Sequence, residues 1–83
     1  MKQETIKTRI NNAIKRYIPD EEERVQKYIF NLVLSTYRNL REDVQCDDNG
    51  KPYSESKDLA FAISITLDDV DTPMILQEAR KDA

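Results

Sequence analysis

Histidine is missing altogether from this 83-residue chain, and cysteine and glycine occur once each. Each scarcity narrows the field. With Cys46 alone, no disulfide can close within the chain, and a lone thiol suits a reducing compartment. A nucleophilic thiol needs a histidine or a cationic neighbourhood to lower its pKa. Cys46 instead lies beside Asp43, Asp47 and Asp48, so it reads as a buried or bystander thiol. A single glycine argues against a turn-rich all-β fold and leaves no phosphate-cradling or dinucleotide-binding glycine loop. No apolar run approaches membrane-spanning length, and the first residues lack the apolar core of a secretion signal. The expectation is a soluble, cytoplasmic protein of the reducing interior, with no membrane contact.

What is present is charge and helix formers. The net charge is −3, distributed unevenly. Residues 1–41 carry nine Lys/Arg against five Asp/Glu, hence +4, and residues 42–83 carry four against eleven, hence −7. Such segregation points to partners, unless the two halves neutralise each other within one fold. Residues 1–83 make a single small domain. A chain of this size buries only about 60% of its unfolded surface, and oligomerisation is a common remedy. A homodimer or other homo-oligomer is therefore expected.

The periodicity predicts an all-α bundle of about four helices, near 2–18, 20–45, 55–70 and 73–82. In the first, Ile6, Ile10, Ala13, Ile14, Tyr17 and Ile18 recur at three- and four-residue steps, the mark of one apolar face. Pro19 disfavours a helical Ile18. Asp20 then reads as an N-cap, with Glu23 completing an acidic capping box. The second helix is long, roughly 40 Å if it reaches residue 45. Its apolar side chains, from Val25 to Val44, sweep an arc of roughly 240°, where a helix resting on one neighbour needs about 100°. It is therefore the central helix of the fold or a self-association surface, with Tyr28, Phe30, Leu34 and Tyr37 as candidates.

Segment 59–67 is ambiguous. Phe61, Ile63, Ile65 and Leu67 alternate as in a strand, whereas Leu59, Ile63, Leu67 and Val70 make a helical stripe behind a Ser54 or Ser56 cap. A lone strand lacks a partner in this chain, so helix is favoured, with a strand as the alternative. In the last segment Asp71 or Thr72 is the cap, Pro73 fits the first turn, and Arg80 and Lys81 suit the C-terminal dipole.

Of the candidate sites, residues 45–56 come closest to a metal motif. Aligning Gly50 with the sixth position of a calcium loop puts Asp47 and Asn49 at the third and fifth. The ends then fail: Gln45 and Ser56 stand where carboxylates belong. "DNG" reads better as a turn. The remaining carboxylates fall at helix ends, where capping and solubility explain them. No catalytic residue, metal site or cofactor is assigned, and the chain reads as a non-enzyme.

The narrow polar face of the second helix is basic. From Arg24 to Arg41 no acidic residue occurs, and Arg24, Lys27, Asn31 and Arg38 share one side with Arg41 nearby. Lys2, Arg9 and Arg16 line up on the first helix. The composition thus predicts a non-catalytic interaction protein, an adaptor, regulator or inhibitor that binds another protein. Its contacts are Arg24, Lys27, Asn31 and Arg38, with Asp47 and Asp48 as an acidic contact. The alternative is a nucleic-acid-binding regulator using Arg9, Arg16, Arg24, Lys27 and Arg38. Small size without a catalytic constellation is also the profile of accessory proteins of phages and mobile elements.

Overall fold

The computed structural model describes residues 2–43 and 46–82. Four helices make up its regular structure: α1 Gln3–Tyr17, α2 Glu23–Glu42, α3 Glu55–Leu67 and α4 Thr72–Asp82. α2 touches all three others, while α1 and α3 pack on each other and α4 leans on α2 and α3. The expected long second helix is thus the centre of the bundle.

Its core follows from the four-residue steps in the sequence. Ile6, Ile10, Ile14 and Ile18 run down α1 and just past its end, and Val25, Ile29, Val33 and Tyr37 run down α2. Side chains at i and i+4 lie on one face, so each row presents a continuous ridge to the other. Leu59, Ala62 and Leu67 of α3 and Ala79 of α4 complete the buried set. The wide arc of α2 is accounted for by this surround. Tyr28, Phe30, Leu34 and Leu40 pack against the core with one side and are half-buried.

The residues at 59–67 are helical, not a strand. α3 starts as its sequence predicts, with the Ser54 hydroxyl accepting from the Lys57 amide at 3.2 Å. It stops at Leu67, three residues before the expected end. There the Thr72 hydroxyl donates to the Thr66 carbonyl (3.1 Å) and accepts from the Asp69 amide (3.0 Å). This staple turns the chain directly into α4.

The start of α2 also departs from expectation. Asp20 does not cap it; the N-cap position is Glu22, whose carbonyl accepts from the amides of Val25 and Gln26. Tertiary contacts account for the shift. Arg80 of α4 holds the Glu21 carboxylate, and the Gln26 amide donates to the carbonyls of Ile18 (3.1 Å) and Pro19 (3.4 Å). With Glu21 tied away from the helix and the 18–20 turn pinned, the chain enters α2 two residues later. At the other end α2 stops at Glu42, with Asp43 as its non-helical C-cap, so the helix is shorter than the expected span to 45; residues 44 and 45 themselves lie outside the described residues.

Candidate functional site

The basic residues of the chain separate into three environments. Arg24, Lys27, Asn31, Ser35 and Arg38 are all exposed on the outer side of α2. Their spacing of three, four, four and three residues puts them on one line along the helix. Arg24 donates to Glu22 at 2.7 Å, whereas Lys27 and Arg38 have no acidic partner among the described residues. Beside this line runs a groove of about 460 Å³ between α1 and α2, lined by Lys15, Lys27, Asn11, Gln26, Ile14 and Phe30, with the Glu23 carboxylate also on its wall. Lys15 thus faces the same groove as Lys27. Lys15 was not among the residues singled out from the sequence, because nothing there tells which polar flank of α1 meets α2.

A second environment lies between α1 and α3. The Arg9 guanidinium donates to the Ser56 hydroxyl at 3.0 Å, and the Arg16 guanidinium lies 5.7 Å from the centre of the Tyr17 ring. Both arginines line a groove of about 340 Å³ with Tyr17, Ala60 and Ser64. Arg9 and Arg16 therefore do not share a groove with Lys27. The five residues grouped above as a nucleic-acid contact fall on separate surfaces.

Arg41 forms the third. It turns inward and donates to Asp58 at 2.8 Å and to the Tyr53 carbonyl at 3.1 Å. Asp58 is 5% exposed, and its hydrogen bond raises the Arg41 pKa further above the usual guanidinium range. This pair ties the last turn of α2 to the first turn of α3 and takes Arg41 out of the outer basic face.

The loop after α2 is built around Asp47. Its carboxylate accepts from the amides of Asn49 (2.9 Å) and Lys51 (3.0 Å), and its own backbone pairs with Lys51 and Gly50. Gly50 adopts φ +77°, the left-handed conformation that glycine takes without strain. Asp47 is thereby engaged in shaping the turn, while Asp48 and Cys46 are exposed. Cys46 forms one isolated antiparallel bridge with Pro52. Gln45, the first residue of the calcium-loop alignment, lies outside the described residues.

Of the α2 residues expected to support self-association, Tyr37 is 6% exposed and belongs to the core. Burial, and then the nearby Glu55 carboxylate, push its phenol above the usual tyrosine range. The large apolar side chains left in water lie elsewhere: Phe61, Val70, Met74 and Tyr17. Phe61 had a readable signal, because residues 59–67 contain no charge, so a helix there has no charged residue to turn outward.

No helix among the described residues is long and apolar enough to cross a membrane. Comparison with protein-family models, curated proteins and solved structures finds no match to this chain.

Proposed function

We propose that this chain is a non-catalytic interaction protein, an adaptor, regulator or inhibitor, that binds an acidic surface of a partner protein along the outer face of α2. The carrying observation is the line from Arg24 to Arg38, exposed throughout and holding two cations, Lys27 and Arg38, without acidic partners among the described residues. Those two stand eleven positions apart, about 16 Å along the helix. The half-buried Phe30 and Leu34 flank the same face and offer apolar contact beside the charges. Such a mixture of cation and partly exposed aromatic suits a protein interface, where arginine and aromatic residues are enriched.

Nucleic acid is the competing ligand for exposed cations. It is disfavoured by the dispersal of Arg9, Arg16 and Lys27 over different grooves and by a net charge of −3. The test is capture from extracts of the native host with wild type and with the K27E/R38E variant side by side. The expected result is a protein that co-purifies with wild type and is lost from the variant. Retention by the variant removes this reading. A low-salt shift of DNA or RNA that weakens steeply with added salt and disappears in the variant replaces the protein partner with a phosphate backbone.

A further inference from the structure

We infer that the outer face of α3 is a two-fold, antiparallel dimer interface with a second copy of this chain. The inference does not rest on the basic face of α2, which lies on another helix. Three observations converge on it.

The first is an apolar face with no cover in the monomer. Residues 59–67 carry no charge. Leu59, Ala62, Thr66 and Leu67 point into the core, leaving Ala60, Phe61 and Ser64 exposed and Ile65 half-buried. Phe61 is 54% exposed. A surface helix of a monomer usually puts charge on its water side.

The second is charge placement at the two ends of that face. Lys57, Phe61, Ser64 and Asp68 follow one another at steps of four, three and four, the seam spacing of paired helices. Lys57 sits in the first turn of α3 and Asp68 is its C-cap. Each is the wrong sign for the helix dipole, which favours anions at the first turn and cations at the last. They are about 16 Å apart along the axis and cannot pair with each other. Lys57 lies over the Tyr53 ring at 4.6 Å, and neither Lys57 nor Asp68 has an ion-pair partner among the described residues. Two antiparallel copies of α3 bring Lys57 of each opposite Asp68 of the other, and the two-fold axis repeats the pair.

The third is shape. A two-fold axis midway between Lys57 and Asp68 also sets Phe61 at the level of the partner's Ser64, large against small. Ala60 and Ser64 form one wall of the α1–α3 groove, whose other wall includes Tyr17 and Arg16. That groove receives the partner's phenylalanine between an apolar wall and a guanidinium, a favourable site for an aromatic ring. Arg9, bound to Ser56, adds a second cation at the end of α3 that meets the partner's Asp68. The face is therefore complementary to itself in charge and in size.

The experiment is sedimentation or light scattering of the purified full chain from micromolar to millimolar concentration. It compares wild type, F61D, K57E, D68K, an equimolar mixture of K57E with D68K, and the K57E/D68K double variant. The expected wild type is a concentration-dependent dimer, and F61D is a monomer with unchanged helical circular dichroism. K57E and D68K each weaken self-association by about tenfold, because symmetry places every altered contact in the interface twice. Both reversals suit the helix dipole, so their effect does not come from unfolding α3. The mixture and the double variant each restore opposite charges at both ends and recover the dimer. A wild type that stays monomeric throughout overturns the proposal and assigns the face to a different partner. A dimer indifferent to F61D, or a failure of the mixture to recover what the single variants lose, overturns it equally.

Discussion

α2 and α3 are the two most apolar stretches of the chain, and they meet opposite fates. α2 has an apolar arc too wide for a single neighbour, yet α1, α3 and α4 between them cover it, and its outer line is polar and basic. α3 has no polar line in its middle, and only its inner side is covered. The lesson concerns where charge is absent rather than where apolar residues are many. A wide arc interrupted by one polar line marks a central helix. A helical stretch uninterrupted by charge has an apolar outer face whichever way it is turned.

The largest test of that contrast sets one side chain from each helix against the other. Ile29 is fully buried at the centre of α2, and its replacement by alanine removes three carbons from a packed core. I29A is expected to cost about 2–5 kcal/mol of unfolding free energy. F61A, on the exposed side of α3, is expected to change the stability of the monomer by no more than about 0.5 kcal/mol. Urea unfolding of both variants at micromolar concentration measures the two losses. Comparable losses would mean that Phe61 is a core residue and that the two helices do not differ as described.

The joint between the helices is the next test. Asp58 is buried at the start of α3 and accepts from Arg41 at the end of α2. Removing the buried acceptor in D58A is expected to cost about 1–2 kcal/mol, held to that range because the Arg41 side chain is partly in water and keeps solvation when released. The same unfolding experiment reads it. The double variant R41A/D58A should lose less than the sum of the two single variants, since the second removal finds no partner left to orphan. Additive losses would make the pair an incidental contact.

How much of this was readable from the residues differs by element. The four helices, the Ser54 cap and the isoleucine ridge of α1 follow from spacing and from serine chemistry, both local properties. The centrality of α2 follows from its arc. The entry into α2 was not readable, because Glu21 is diverted by Arg80, 59 positions away, and a capping signal at Asp20 carries no information about that. The end of α3 was hidden for the same reason: Thr72 reads as a cap for its own helix, but it is the first residue of α4 and its hydroxyl staples the preceding helix instead. On the surface, the basic line of α2 was legible as a set, since one helix carries it. The division of Arg9 and Arg16 from Lys27, and the meeting of Lys15 with Lys27, depend on how α1 rolls against its neighbours. Helical periodicity leaves that roll undetermined when polar residues surround a narrow apolar ridge.

The smallest effect concerns the cover that distinguishes α2 from α3. α4 contributes Ala79 to the core and the half-buried Ile75 and Leu76 to its edge, and the Arg80–Glu21 pair clips its far end to the turn before α2. The Arg80 guanidinium, through its hydrogen bond first, holds the Glu21 carboxyl below the usual glutamate range. A carboxyl lowered on folding contributes stability that is present above its unfolded pKa and disappears as pH falls through the folded one. Wild-type stability relative to R80A is therefore expected to be greatest near neutrality, to decline in acid below the ordinary glutamate pKa, and to vanish once Glu21 is protonated in both. The difference is small because Arg80 is largely in water and the pair is screened by salt. Unfolding midpoints of wild type and R80A across that range, at low and high salt, read it directly. A difference that persists undiminished in acid would mean that Arg80 holds α4 by packing of its stem rather than by its charge, and that the cover over α2 does not depend on the clip.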